Sequence, residues 1–307
     1  MTAMTEDFVT FAAPLQGVTG YPWRNAHAEV FPGITAYLTP FLRIEHGEIR
    51  KKGLKDISTE RNTANIIPQV LAGTPDETAR LAEKVRELGY QEVNLNLGCP
   101  HPPVARHHRG CGLLQSPDEI KALFERLREI EGLKFSVKMR LGYADETEWR
   151  QVLPYFSILS PTSVTVHPRI GRQLYSGELH LAEFERLLGE TDLRVLYNGD
   201  IQSLDDVNRL REKYPRISGV MAGRGLVANP ALFCPTLATR ENMRRFHTII
   251  YDEIVSTMEG GEHQILSHLK EMWLYFMPGA DKKALKTIKK CTSLQKYNDA
   301  VNTVLGR

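Results

Sequence analysis

The chain has 307 residues, 42% hydrophobic and 25% charged, with a formal net charge of +2 and four cysteines. That is an ordinary globular composition, long enough for a large core, and it excludes collagen-like, low-complexity and disulfide-scaffold proteins. Cys99, Cys111, Cys234 and Cys291 show no CxxC spacing, which argues against a structural zinc, and no metal is expected. No stretch approaches the roughly 20 apolar residues of a membrane span, and Glu6 and Asp7 stand where a signal peptide needs a basic and then apolar run. A cytoplasmic protein without a membrane partner is expected, and a monomer. With a charge near zero, any nucleic-acid binding must come from a local basic patch.

Eight short segments rich in β-branched and other apolar residues recur along the first two thirds: Phe8 to Ala12, Gly33 to Leu38, Asn65 to Leu71, Glu92 to Leu97, Phe135 to Met139, Ser163 to His167, Arg194 to Tyr197 and Gly219 to Ala222. Helix-like segments separate most of them. Asp76 to Leu88 carries apolar or small residues near the helical period, and Pro117 to Ile130 starts with Ser116 as N-cap, Pro117 in the first turn and acids at Asp118 and Glu119. Glu146 to Leu159, His180 to Leu188 and Ser203 to Lys213 repeat the theme. Strand and helix alternating eight times predict a (β/α)8 TIM barrel, in keeping with the ~250 residues typical of that fold. The rival, an open doubly wound sheet, lacks a GxGxxG after its first strand.

From Glu241 onward no convincing strand follows. Met243 to Met258, Ile265 to Phe276 and Ala284 to Leu305 read as helices, broken at Gly260-Gly261 and Pro278-Gly279. The predicted organisation is a catalytic barrel over 1–240 and a small C-terminal helical domain over 241–307. Six lysines and no acid lie between Lys282 and Lys296. On a helix Lys282, Lys283, Lys286, Lys289 and Lys290 share one side, opposite Ala284, Leu285, Ile288 and Cys291. A solvated amphipathic face is the plain reading; the want of interleaved acids favours a phosphate-backbone contact.

Barrel chemistry comes from the C-terminal ends of the strands. Those positions hold Pro14, Gln69, Asn96 with Cys99, Lys138 with Arg140, His167 with Arg169, Asn198 with Gly199, and Gly223 with Arg224, which is strongly polar for strand ends. Asn94 and Asn96 alternate with Val93, Leu95 and Leu97, so two amides face one way and call for a polar ligand or a polar network. The stretch they begin, NLNLGCPHPPVARHHRGCGLL, is a strand end opening into a long loop and reads equally as a turn with Cys99 as filler or as a site. Glycines after strands seven and eight, in YNGDI and AGRG, suit a phosphate held on backbone amides. Lys138, flanked by apolar residues in FSVKM, points into the barrel, where an ammonium calls for an anionic partner.

These motifs together resemble the tRNA-dihydrouridine synthases: APLQGVT at Ala13 to Thr19, QVLAGTP at Gln69 to Pro75, NLNLGCP at Asn94 to Pro100, GCGLL at Gly110 to Leu114, VKMRLG at Val137 to Gly142, HPR and YSG at His167 to Arg169 and Tyr175 to Gly177, NGDI at Asn198 to Ile201, and MAGRG at Met221 to Gly225. The resemblance covers nearly the whole chain. It implies an FMN-binding barrel with a helical tRNA-binding domain, and reduction of a uridine C5–C6 double bond in tRNA with NADPH as the source of electrons. Carried over residue by residue, it makes Cys99 the proton donor to C5, opposite the flavin hydride that goes to C6. A thiol suits that role because its ordinary pKa, ~8.5, leaves it mostly protonated near neutral pH. Lys138 matches the lysine at the flavin pyrimidine edge; Pro14, Leu15, Gln69 and His167 match flavin-contacting positions; Asn198, Gly199, Gly223 and Arg224 match the phosphate site. Asn96, Arg140 and Tyr175 match the uridine pocket, and Lys282, Lys286 and Lys290 are assigned to the RNA backbone.

The chain departs from the family pattern at Leu15 for the usual methionine, Gly20 for an aspartate, Pro40 for a common acid and Pro168 for a glycine, the last removing one backbone N–H. Cys111 reads as filler in preference to a redox partner of Cys99, and Arg106 to Arg109, RHHR, as a weak RNA contact. The alternative activity is an FMN-dependent dehydrogenase of small pyrimidines, of the dihydroorotate or dihydropyrimidine kind.

Overall fold

The computed structural model describes residues 8–306; Glu6 and Asp7, invoked above against a signal peptide, lie outside the described residues. In chain order the elements of the first part are β1 (Val9–Ala12), α1 (Tyr21–Val30), β2 (Ala36–Leu38), a small hairpin pairing Ile44–Glu45 with Glu48–Ile49, α2 (Lys51–Asp56), β3 in two halves (Ile66–Ile67 and Gln69–Leu71) and α3 (Pro75–Glu87). There follow β4 (Glu92–Leu97), α4 (Pro102–Ala105), α5 (Pro117–Arg128), β5 (Lys134–Gly142), α6 (Trp149–Val152), α7 (Phe156–Leu159), β6 (Val164–Ile170), α8 (Leu181–Glu190), β7 (Val195–Asn198), α9 (Leu204–Lys213), β8 (Gly219–Ala222) and α10 (Arg224–Ala228).

All barrel strands pair in parallel, each with its neighbour in sequence, and β1 pairs with β8. The ring closes through β3, whose first half pairs with β2 and whose second pairs with β4. Pro68 is the cause of the split: it has no N–H to give, although its carbonyl accepts from Asn94 N at 2.8 Å. Leu42 mends the gap, donating to Gln69 O at 2.8 Å and accepting from Leu71 N at 2.9 Å. The expected eight-stave barrel is therefore present, with one stave broken by a proline.

Helix starts follow local chemistry. Thr74 caps α3, and Ser203 caps α9 in a reciprocal box with Asp206. Three expectations need correction. Ser116 does not cap α5 through its side chain; its hydroxyl is 3.1 Å from His108 Nδ1 instead. The stretch expected as a single helix from Glu146 to Leu159 is α6 and α7 separated by a 3-10 turn at Leu153–Tyr155, where Pro154 cannot continue the α-helical ladder.

The C-terminal part contains α11 (Arg240–Thr257), α12 (Glu262–Met272), α13 (Lys282–Lys290) and α14 (Leu294–Leu305). Here the segment expected as one helix from Ala284 to Leu305 is two, because Ser293 caps a new start by accepting from Lys296 N at 3.4 Å. Helix α11 lies against α1: Phe246 meets Trp23 edge to face at 5.9 Å and Phe31 at 5.7 Å. Tyr21 Oη is 3.1 Å from Thr257 Oγ1, and Met277 N donates to the carbonyl of Ala228, the last residue of α10. The main apolar core runs from the barrel into these helices, while Ala13, Ala36, Leu38, Ile67 and Met221 form a separate small cluster, and the contacts to α1 and α10 seat the helical part beside β1 and β8. Among the described residues no helix is long and apolar enough to cross a membrane.

Candidate active site

The strand registers set the polar side chains side by side at the mouth. Gln69 stands opposite Asn94, Asn96 opposite Lys138, Lys138 opposite Thr165, and Arg140 opposite His167. Side chains two residues apart on a strand face the same way, so Asn94 with Asn96, and Ser136 with Lys138 and Arg140, climb the inside of the barrel in layers.

The two amides of β4 enter a directional chain of hydrogen bonds. Asn94 Nδ2 donates to Ser136 Oγ at 3.0 Å, Gln69 Nε2 donates to Asn94 Oδ1 at 2.7 Å, and Asn96 Nδ2 donates to Gln69 Oε1 at 2.7 Å. Asn96 Oδ1 then accepts from the backbone N–H of Gly98 at 3.1 Å and of Cys99 at 2.8 Å. Backbone N–H groups can only donate, so they fix the orientation of Asn96, which fixes Gln69 and in turn Asn94. Breaking one link would leave a buried amide short of a partner at a cost of about 1–3 kcal/mol. The network holds Cys99 by its own peptide, directly after the strand.

The Cys99 loop returns on itself at Gly110, in the left-handed region at φ +56°, where an added Cβ would fall 2.9 Å from Cys99 O. Cys111, fully buried, donates from both N and Sγ to Cys99 O, at 3.2 and 3.1 Å. Burial pushes the Cys111 thiol up to about 12, so it is an inert strut in this loop. Burial also raises Cys99, while the His101 N–H, Arg140, Lys138 and Arg43 pull the other way. The net rise keeps Cys99 a thiol at neutral pH.

Lys138 lies at the mouth with no hydrogen bond or ion pair from the described residues. Burial, and then the charge of Arg140, pull its ammonium down to about 7. Arg140 donates from Nε to Gly98 O at 3.0 Å and from Nη1 to Ile170 O at 2.9 Å, which leaves Nη2 without a partner among the described residues. His167 is held well below its ordinary value by burial and by the surrounding guanidinium and ammonium groups, so it is a neutral imidazole, 3.2 Å from Arg169 Nη1. A mouth with this excess of cationic groups is suited to an anion.

On the far side of the mouth, Asp200 binds Arg169 through both carboxylate oxygens and accepts from Arg224 Nη2 at 3.0 Å. Asn198 Nδ2 is engaged by Met221 O at 2.7 Å, with Gly199 and Gly223 at the ends of β7 and β8. Arg224 also donates to Tyr175 O, and the guanidinium groups of Arg224 and Arg140 each approach the Tyr175 ring, at 5.4 and 5.3 Å. Tyr175 follows Leu174, which has a positive φ of 53°, and is 56% exposed, so its ring stands at the mouth. Pro14 and Leu15 lie in the loop after β1, with Leu15 N bonded to Thr19 Oγ1. The structure thus gathers these residues around one mouth, and leaves Lys282, Lys286 and Lys290 apart on α13, exposed and packed through Ala284 and Ile288 against the helical part.

Three members escaped the reading of strand ends: Ser136 at the foot of the amide chain, Asp200 between two arginines, and Arg43 within electrostatic reach of Cys99. Ser136 was legible in principle, two residues before Lys138 on the same face. Asp200 and Arg43 are loop residues whose partners lie far off in sequence.

Against known proteins, the family model described as "Dihydrouridine synthase (Dus)" matches residues 11–303. A protein named "tRNA-dihydrouridine(16) synthase" from Neisseria meningitidis is 30% identical over 232 residues, covering 72% of this chain and 68% of its own. "Probable tRNA-dihydrouridine synthase 2" from Bacillus subtilis is 28% identical over 230 residues, 72% and 70% of the two chains. "tRNA-dihydrouridine synthase B" from Pasteurella multocida is 26% identical over 227 residues, 73% and 67%.

Proposed function

The chain belongs to the dihydrouridine synthase family, and from that footing we propose that it reduces the C5–C6 bond of a uridine in tRNA, with FMN as its resident cofactor and NADPH as reductant. The observation that carries the reading is the pairing at the mouth of a protonated thiol, fixed by its own peptide to Asn96, with a half-buried lysine that has no partner among the described residues.

The residues present fit a flavin mononucleotide. Lys138 would face its pyrimidine edge, with Gln69 and His167 beside it and Pro14 and Leu15 against the ring. Asn198, Gly199, Gly223 and Arg224 would hold the phosphate, Asp200 keeping Arg224 in place. When bound, FMN supplies the hydride that goes to C6 of the base.

The chain's own part is to hold the uracil and deliver a proton. Arg140 Nη2 and the second Nδ2 hydrogen of Asn96 are free to meet its carbonyls, and Tyr175 offers an aromatic face. Cys99 Sγ gives its proton to C5 while the base carries the developing negative charge. The thiolate left behind lies in the field of Arg140, Lys138 and Arg43, and regains a proton from water. Because the target base lies in folded RNA it must leave its stack, at a cost of a few kcal/mol that phosphate contacts on α13 would offset. Such an enzyme belongs in the cytoplasm, and nothing in the mechanism calls for a second subunit or a metal.

The experiment is to purify the protein and to map dihydrouridine in tRNA from cells with and without it. A yellow protein with flavin absorbance, and loss of dihydrouridine at one or more sites restored by re-expression, are the expected results. A protein that takes up no FMN, or an unchanged dihydrouridine map, refutes the proposal.

A further inference from the structure

A cleft of about 400 Å3 opens beside the mouth, between the loops after β1 and β2, helix α2, and helices α11 and α12. None of the residues assigned above to cofactor or uracil lines it. Its floor is apolar, formed by Ile250, Ile254, Leu269 and Met272 over the buried Trp23, with the half-buried Phe41 beside them. Its rim carries Arg43, Arg50, Lys52 and Lys55 against Asp56 and Glu259. Asp56 is taken up by Tyr21 N and Arg24, and Glu45 engages both Arg43 and Arg50. Lys52 and Lys55 have no ion pair among the described residues and are exposed. Lys52 acts electrostatically on His268 and Glu271, which places it across the cleft from α12.

Two further observations bear on what the cleft takes. Of the buried polar side-chain atoms without a partner among the described residues, Trp23 Nε1 and Arg43 Nε belong to side chains lining it. A third, Glu271 Oε2, lies 2.5 Å from where a Cβ at Gly17, another lining residue, would stand. Such atoms are covered by the wall of the cleft, and each leaves a polar group short of a partner beside it. Arg43, which lines the cleft, also acts electrostatically on the Cys99 thiol, so the cleft lies near the uracil pocket.

An apolar floor, two lysines without an ion pair among the described residues at the rim and a volume within the roughly 300–1,000 Å3 of small-ligand pockets suit one base with its phosphate, and are too small for a duplex. Recognition of folded RNA by sequence works on unstacked loop nucleotides, and the nucleotide nearest to a reduced uridine is its neighbour on the strand. Resting on the reading of an RNA uridine substrate, we propose that this cleft receives a second unstacked nucleotide of the tRNA, adjacent to the reduced uridine. Its base lies on the half-buried Phe41 and the aliphatic floor, its phosphate on Lys52 and Lys55, and the intervening phosphate passes Arg43. The cleft then helps to select which uridine is presented to Cys99.

The test uses flavin-loaded enzyme and an in vitro transcribed tRNA whose reduced uridine has been mapped, either intact or with the base deleted at one immediate neighbour. Deleting the cleft-bound base should weaken binding by about tenfold or more, the scale of one lost stacking contact. Ile254→Trp, which fills the cleft, should bind intact tRNA at that weakened level and make the deletion silent; Met258→Trp at the rim repeats the block should the first variant not fold. Lys52→Glu/Lys55→Glu should weaken both RNAs alike while flavin reduction by NADPH is unchanged. The inference is overturned if neither deletion affects wild-type binding, if a deletion costs as much in the blocked variants as in the wild type, or if the lysine changes impair flavin reduction, which would put the dinucleotide in the cleft. A transcript whose uridine, mapped in cellular tRNA, is bound in vitro and not reduced by the purified enzyme counts against the proposed activity instead, and the binding cycle still decides the cleft.

Discussion

Lys138 is the residue whose state depends most on what fills the mouth. Its ammonium, ordinarily near 10.5, is brought to about 7 by burial and by Arg140, whereas in the unfolded chain it keeps its proton to about 10.5. Between those values the unfolded state binds the extra proton, so the flavin-free protein should gain stability as pH rises from about 7 to about 10. Below about pH 7 the penalty of the buried charge is fully present. Unfolding midpoints of the flavin-free protein followed across that range, compared with Lys138→Met, check this: the wild type should gain on the variant as pH rises. Parallel curves would mean that the ammonium is solvated. Asn96, by contrast, reads from the sequence as a uracil contact or a member of a polar network; its Oδ1 is committed to Gly98 and Cys99, so it has the further duty of positioning the thiol. That second duty was not legible, because a short loop folding back onto its own strand leaves no periodic trace.

At the scale of elements, α13 has the amphipathic form its sequence foretold: Ala284, Ile288 and Cys291 are buried and all five lysines from Lys282 to Lys290 are exposed. Asp281 caps its start by accepting from Ala284 N at 2.7 Å, so the lysine face does not depend on RNA for its helix. Lys282→Ala/Lys286→Ala/Lys290→Ala should fold normally and bind tRNA more weakly. If all three meet phosphates, the slope of log affinity against log salt should fall in magnitude by about 2–3. An unchanged slope would make the face a solvated surface. The boundary between α13 and α14 was missed because the lysine pattern runs on to Lys296 and masks the cap at Ser293. The Pro154 break between α6 and α7 was readable in the residue type and outweighed by the surrounding apolar period.

At the scale of the molecule, the barrel was legible because each stave carries its own apolar run, and even the broken β3 reads as one segment around Pro68. The ring of polar strand ends was legible for the same reason: strand ends are local features. What could not be read were the contacts that join distant parts, such as Asp200 with Arg169 and Arg224, or the seating of α11 and α12 on the mouth that creates the cleft over Trp23. These depend on packing between segments up to a couple of hundred residues apart. The central claim is that Cys99, held by Asn96 beside Lys138, is the acid of a tRNA uridine reduction. Its most direct measurement is a single turnover: FMN-loaded wild type and Cys99→Ala, each reduced by NADPH without oxygen, are mixed with tRNA and dihydrouridine is followed by mass spectrometry. The wild type should form dihydrouridine, while Cys99→Ala should be reduced by NADPH as fast and form it at least about a hundredfold more slowly, the usual worth of a general acid. Undiminished dihydrouridine formation by Cys99→Ala, or a wild type that reduces free uracil or orotate and leaves tRNA unchanged, would contradict it.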